Sequence, residues 1–301
     1  MRWAAGRVAE PVFRRLAIIG AGLIGGSIAR AAREKGGIAG EVVVSDRPAE
    51  LARVRELGFA DRTEADAAEA VRGADGVILS VPVGAIAEVM ARITPKLAPG
   101  AVLSDTGSTK GSVIRDVRPL LPPSVHFVPA HPMAGTEYSG PDAGFASLFE
   151  GRYVILTPPE GTDPGAVARV AELWRRCGSE VEFLDAATHD KVVAIVSHLP
   201  HLIAFTICGT ADDLAEETRE SVLKFAASGF RDFTRIAASD VAMWRDVFLN
   251  NREAVLEMLA RFTEDAQAFG RAIRWGEEGF IEDRIRRGRK IRRGLIERKQ
   301  A

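Results

Sequence analysis

Along the first half of the chain, short runs rich in β-branched residues alternate with longer stretches whose apolar positions recur every three or four residues. The runs Arg15 to Gly20, Glu41 to Asp46, Gly76 to Val81, Ala101 to Asp105, Val125 to Ala130, Tyr153 to Thr157 and Glu180 to Leu184 predict strands. Leu23 to Lys35 and Ala85 to Leu97 predict helices between them. Strand–helix alternation at this spacing calls for a doubly wound, largely parallel sheet, with antiparallel pairing open to the last strands. After about Asp185 the strand pattern ends and long helical patterns take over, with apolar positions at Val247, Leu249, Val255, Leu256, Leu259 and Phe262 in one of them. The pattern therefore divides the chain into an α/β domain over residues 1–185 and an all-helical domain over residues 186–301, which either folds alone or supplies a dimer interface.

The turn after the first strand reads GAGLIGG, Gly20 to Gly26. Gly20 suits the tight turn, Gly22 lets backbone approach a pyrophosphate, and Gly25 lets the helix pack close. Leu23 and Ile24 open that helix, whose N-terminus carries positive partial charge. Asp46 follows Gly25 by 21 residues at the end of the second strand, where a carboxylate can accept both ribose hydroxyls. The first domain is thus expected to be a Rossmann-type dinucleotide-binding domain. A carboxylate at Asp46 repels a 2′-phosphate and favours NAD, while Arg47 beside it is a residue type that can hold that phosphate. Ser80 to Pro82 reads equally as groove lining or as a plain strand-to-helix turn. The segment DTGSTKG places Asp105 among the candidate cofactor contacts and offers Ser108 either as a hydrogen-bond partner for a substrate or histidine, or as a helix cap.

His131 opens HPMAGTE at the expected carboxyl end of a later strand, the edge where ligands gather in open α/β sheets. Imidazole suits taking a proton from a hydroxyl near neutral pH, so dinucleotide plus base points to hydride transfer. His198 and His201 lie three apart around Pro200; either they meet a polar substrate or they are buried and satisfied by backbone. They find no third ligand of matching spacing, so no metal is expected. His126 and His189 read as structural. Arg231 and Arg235, in a segment read as a loop between apolar helices, suit a substrate carrying carboxylates.

A net charge of −1 speaks against a nucleic-acid partner. Cys177 and Cys208 sit in no metal or redox spacing. No uninterrupted apolar run approaches the roughly 18 residues of a spanning helix, and no signal peptide is read at the start. A cytoplasmic protein without a membrane partner is the simplest expectation. The run from Arg284 to Lys299 holds nine basic residues and one acid, Glu297, and reads as a solvated helix face with Ile281, Ile285 and Leu295 inward.

Taken in order, GAGLIGGS, DTGSTKG, HPMAGTE with its following SG, VILTP, VSHLPH and GFRDFTRIAASD with MW resemble the prephenate and arogenate dehydrogenases of tyrosine biosynthesis. The likeness runs from about Leu16 to about Phe262, and neither an appended regulatory domain nor a fused chorismate mutase domain is expected. It implies NAD(P)-dependent oxidative decarboxylation, forming 4-hydroxyphenylpyruvate from prephenate or tyrosine from arogenate. It also implies that His131 takes the ring hydroxyl proton, Ser108 orients the pair and Arg235 binds a substrate carboxylate. His201 and Glu137 would shape the pocket, and Trp244 would be presented across the interface of a homodimer. The competing class is a dinucleotide sensor without turnover, which has no use for the combination of His131, Ser108 and Arg235.

Overall fold

The computed structural model describes residues 10–214 and 216–297. Residues 1–9 of the N-terminal stretch, and Arg298 and Lys299 of the basic run, lie outside the described residues. The chain separates into two compact units, Met1–Arg252 and Glu253–Ala301.

Six strands form the main sheet: β1 (Phe13–Ile19), β2 (Ala39–Ser45), β3 (Arg62–Glu64), β4 (Gly76–Leu79), β5 (Val102–Asp105) and β6 (His126–Val128). Their order is β3-β2-β1-β4-β5-β6 and every pairing is parallel. This is the doubly wound Rossmann order, whose direction of winding reverses between β1 and β4. Alternate side chains enter two cores. Leu16, Ile18, Val42, Val44 and Ile78 pack on the side of helices α1 (Leu23–Lys35) and α6 (Pro164–Cys177). Ala17, Ile19, Val43, Val77 and Leu79 face the opposite side, with Ile86 and Met90 of α4 (Ile86–Ile93) and Val113 of α5 (Gly111–Val117). A strand buried on both faces must be apolar at every position, which is why these runs show no alternation. Short helices α2 (Pro48–Leu57) and α3 (Ala67–Ala70) complete the β2-to-β4 connections.

The expected strand Val125 to Ala130 is two strands instead. Pro129, which has no N–H to donate, separates β6 from β7 (Ala130–Pro132). β7 leaves the parallel sheet and pairs antiparallel with β8 (Tyr153–Leu156), which pairs parallel with β9 (Glu180–Phe183). His131 therefore does not follow a strand; it is the middle residue of β7, opposite Ile155. The strand β3 has no counterpart in the sequence pattern.

From Ala186 a continuous helical run reaches Asp212 as α7 (Ala186–Val193), a π-helical turn (Ala194–His198) and α8 (Leu199–Asp212). The wider turn lies just ahead of Pro200, whose ring and missing N–H disturb the regular ladder. Against the sequence expectation, this run is long and apolar enough by length and composition to cross a membrane; 28% of its apolar window is buried. The single charged cluster, Asp190–Lys191, sits near its start, so the apolar stretch beyond it is longer than the punctuated sequence suggests. Helices α9 (Glu216–Phe225), α10 (Ser228–Thr234) and α11 (Val241–Asn250) follow, with α12 (Arg252–Trp275) and α13 (Glu278–Glu297) after them. The arginine-bearing segment read as a loop is helical: α10 carries Arg231, and Arg235 opens a 3₁₀ turn, Arg235–Ala238.

Candidate active site

The glycine turn has the geometry its spacing implies. Gly20 has φ +104, and a Cβ there would lie 2.2 Å from the Ser80 carbonyl oxygen. At Gly25 a Cβ would stand 2.0 Å from the Gly20 oxygen. A Cβ on Gly22 would meet nothing within 4 Å, so open space lies at the N-cap of α1 beside Leu23 and Ile24. That opening, facing the first N–H groups of a 13-residue helix, fits a pyrophosphate. Asp46, just past β2, accepts from Ala21 N at 2.6 Å and from Arg47 N at 2.7 Å, which fixes its carboxylate beside the turn where a ribose would lie. Arg47 is exposed and its guanidinium pairs with Glu50 at 2.8 Å. Ser80 is half-buried just after β4 and accepts from Thr106 Oγ1 at 3.2 Å; Pro82 is exposed at the same sheet edge.

Asp105 corrects an expectation. It is fully buried, and both oxygens are engaged inside the protein. Oδ2 accepts from Gly107 N at 2.8 Å and from the Lys110 ammonium, while Oδ1 accepts from Ala130 N at 3.3 Å. Lys110, also fully buried, donates to Ala130 O at 2.7 Å. This ion pair thus holds both backbone groups of the residue preceding His131, a role in geometry and not in nucleotide contact. Two charges taken out of water repay little in stability but fix a conformation. Burial depresses the Lys110 pKa, opposed by the Asp105 charge.

His131 keeps 8% of its surface exposed. Its Nδ1 lies 2.8 Å from His189 Nε2, and His189 Nδ1 lies 2.8 Å from Asp190 Oδ1. His189, read as structural from sequence, is therefore the direct partner of the candidate base; its adjacency to an aspartate is the one signal in the sequence that could show it. Burial, followed by the fields of His189, Lys110 and His198, drives the His131 pKa well below the ordinary histidine range. Ser108 is half-buried in the turn before α5 and makes no hydrogen bond to His131 among the described residues. It does not cap α5 either: the backbone N–H groups of Lys110 and Gly111 donate to Asp190 at 2.8 and 2.9 Å.

A second group adjoins the first through Asn251, whose Nδ2 donates to the Asp190 carbonyl and to His198 Nδ1. Trp244 on α11 stacks on His201 with centroids 3.7 Å apart and meets His198 edge-on at 5.9 Å. His201 Nδ1 donates to Ser197 O at 2.9 Å, and its pKa is lowered by burial and by Arg235 nearby. Arg235 pairs with Glu137 at 3.3 Å, its side chain 60% exposed. His198 is fully buried; Asn251 Nδ2 donates to its Nδ1 at 3.1 Å, and its Nε2 has no partner among the described residues. Burial lowers the His198 pKa to about 4. Trp244 is 7% exposed and packed into this chain's own ring cluster. Arg231 stands exposed on α10 with no ion pair among the described residues, outside the group. No group of three or more metal-ligating side chains occurs among the described residues.

A Rossmann sheet with an open glycine turn at a helix N-terminus and a buried histidine near its edge fits the class of dinucleotide-dependent dehydrogenases. Residues 28–183 match the family model "prephenate dehydrogenase, nucleotide-binding domain", and residues 185–284 match "prephenate dehydrogenase, dimerization domain". A cyclohexadienyl dehydrogenase of Zymomonas mobilis is 39% identical over 287 residues, covering 94% of this chain and 97% of that protein. A prephenate dehydrogenase of Lactococcus lactis is 34% identical over 284 residues, covering 94% of this chain and 77% of that protein. The crystal structure of prephenate dehydrogenase from Aquifex aeolicus, in complex with hydroxyphenyl propionate and NAD+, superimposes with a TM-score of 0.85 at 34% identity, covering 94% of this chain and 98% of that one. The chain belongs to the prephenate dehydrogenase family, a family of dehydrogenases with a nucleotide-binding domain followed by a helical dimerization domain.

Proposed function

We propose that this protein is an NAD-dependent prephenate dehydrogenase that converts prephenate to 4-hydroxyphenylpyruvate. The observation that carries the reading is His131, a buried imidazole kept neutral at physiological pH, set beside the sheet edge and bonded through Nδ1 to His189. NAD, held at Gly20, Gly22, Leu23, Ile24, Gly25 and Asp46 with Ser80 and Pro82 at the edge, supplies the hydride acceptor when bound. Asp46 disfavours a 2′-phosphate, and the adjacent Arg47 is drawn to Glu50 at 2.8 Å. NAD in the Aquifex aeolicus complex supports the same choice.

In this mechanism His131 takes the proton of the ring hydroxyl, while the hydride leaves the carbon bearing that oxygen. Ser108 holds the hydroxyl toward the base, and Arg235 anchors a carboxylate with Glu137, His201 and Trp244 around it. The ring carboxylate departs as CO₂ and the ring becomes aromatic, which drives the reaction; the protein contributes position and electrostatics. The apolar run Ala186–Asp212 is assigned to a homodimer interface and not to a bilayer, in a cytoplasmic enzyme; the family's dimerization domain supports this. The meeting of the two family matches between residues 183 and 185 supports a domain boundary at Asp185.

The 39% identity to a cyclohexadienyl dehydrogenase favours a second reading, in which the pocket also accepts arogenate and forms tyrosine. Initial rates of NADH formation with prephenate and with arogenate, each with NAD and NADP, test both. Turnover of prephenate with NAD is expected; comparable kcat/KM for arogenate establishes the second reading, and absence of turnover with either substrate rejects both.

A further inference from the structure

One buried pair is not used by the mechanism above: His189, fully buried, and Asp190 behind it. We propose that His189 and Asp190 are positioning residues that lock His131 into the tautomer protonated on Nδ1, so that Nε2 is the atom that receives the substrate proton. The inference rests on the reading of His131 as base.

The tautomer follows from donors and acceptors taken in turn. Burial alone would raise the Asp190 pKa, but bonds from His189, Lys110 N and Gly111 N leave it lowered, so the group is a carboxylate and accepts only. His189 is neutral at physiological pH, because burial lowers its pKa more than the Asp190 bond raises it. A neutral ring has one N–H. Facing Asp190 Oδ1 at 2.8 Å, that N–H must be on Nδ1 of His189. Its Nε2 is then a bare acceptor, and 2.8 Å away stands His131 Nδ1, which must donate. The reverse assignment would press a bare His189 Nδ1 against a carboxylate oxygen, two lone pairs at hydrogen-bond distance. His131 Nε2 is thus left with its lone pair and is bonded to nothing among the described residues. When the ring hydroxyl O–H breaks, the new N–H forms at this Nε2; the proton on Nδ1 stays in its bond to His189, and the resulting imidazolium faces a relay ending in a negative charge.

Asp190 also ties the base to the opposite wall of the site. Its two oxygens receive Lys110 N and Gly111 N, which close the segment carrying Ser108. Asn251 Nδ2 holds the Asp190 backbone carbonyl at 2.8 Å and so fixes the helix that presents the pair. The other charged or titratable groups around the relay are Lys110 and Asp105, bonded to each other, and neutral His198.

The test compares His189→Leu, which removes the acceptor, with His189→Gln, whose amide oxygen can still take the His131 Nδ1–H. It uses the full chain with NAD. In His189→Leu, kcat should fall about 10²-fold, with NAD affinity, thermal midpoint and substrate KM little changed; His189→Gln should recover most of that loss. Equal losses in the two variants, or a kcat for His189→Leu within about threefold of wild type, would overturn the proposal. Nitrogen-15 shifts of His131 in the wild-type protein give an answer independent of either variant's folding. A protonated Nδ1 with a bare Nε2 is expected, and the opposite pattern overturns the inference. If the wild type turns over neither prephenate nor arogenate, the function fails, while the nitrogen shifts still decide the tautomer.

Discussion

The sheet half and the helical run that follows it solve burial in opposite ways. In β1, Leu16, Ala17 and Ile18 are all fully buried, because helices from the same chain cover both faces. In α8 only Leu199 and Ala204 are buried, although the run Ala186–Asp212 is long and apolar enough by length and composition to cross a membrane. Ile195, Val196 and Ile207 stand 48%, 57% and 39% exposed. Apolar surface left in water forfeits roughly 25 cal/mol per Å², so covering these side chains would stabilise the helix. The nucleotide-binding half completes itself within one chain. The helical half leaves part of its apolar surface open, and that surface is the one assigned to the proposed dimer. Chemistry and assembly are therefore separable, and substitutions should split them.

The sharpest break is at His131. His131→Asn keeps a hydrogen-bonding side chain of similar size but cannot take up the substrate proton, so kcat should drop roughly 10²–10⁴-fold. Dimer formation and NAD binding should persist. In the wild type, the lowered pKa keeps the base free down to pH values below the ordinary histidine range; activity should be lost only as pH falls through that depressed pKa. The acidic limb of the kcat/KM profile should therefore lie below about 6.5, the unperturbed histidine value, and vanish in His131→Asn. An acidic limb surviving in the variant would move the base to another residue, with His201 the first to examine.

The inverse substitution is Ile207→Glu, on the exposed face of α8. A charge placed in an apolar interface is costly to desolvate, so the protein should sediment at 32.4 kDa, the mass of one chain, instead of twice that. NAD affinity should stay within about threefold, because the cofactor groove lies wholly in the self-covered half. A variant that remains dimeric would place the interface elsewhere.

Legibility in the amino-acid sequence divides along the same line. The Rossmann half is legible because its signals are local: apolar strands a few residues long, glycines at fixed spacing, and Asp46 at a strand end. The exception, β3, reads Arg62-Thr63-Glu64, a polar edge of three residues with no apolar pattern to notice. The site is legible only where one residue type suffices. His131 and Arg235 can be named, but the partner of His131 comes from 58 residues away and no period connects them. Asp105 has the marks of a ligand contact because its carboxylate ends a strand; that Lys110 folds back under it depends on burial. The Ser228–Ala238 segment has the glycine and small polar residues of a loop, while packing makes it helical. Interfaces leave the weakest trace, since an exposed apolar face and a buried one share the same sequence.

Arg235 tests how the two halves meet the substrate. Its guanidinium is 60% exposed and shared with Glu137, so it is not a deeply buried charge whose loss would cripple the fold. Arg235→Ala should raise KM for prephenate roughly 10- to 100-fold, the value of about 1.5–3 kcal/mol for hydrogen bonds to a charged group. Thermal stability and NAD affinity should change little. A matching loss of NAD binding would mean that the 3₁₀ turn supports the cofactor half structurally.

The smallest effect belongs to Asp46, and it sharpens the cofactor assignment within the sheet half alone. Its carboxylate is fixed by Ala21 N and Arg47 N, so it cannot swing away to admit a 2′-phosphate. Asp46→Ser removes the negative charge while keeping an acceptor for a backbone N–H. It also removes one of the two carboxylates near Arg47 among the described residues, which favours a phosphate at the rim. The ratio of kcat/KM for NAD over NADP should fall about tenfold, one charge contact's worth at a partly exposed site. The split between parameters matters as much as the size. The change should come through KM for the cofactor, with kcat, KM for prephenate and sedimentation all unmoved, because Asp46 touches neither the base nor the helical face. A wild type that already prefers NADP would show that Arg47 outweighs the carboxylate, and the NAD assignment would give way to NADP.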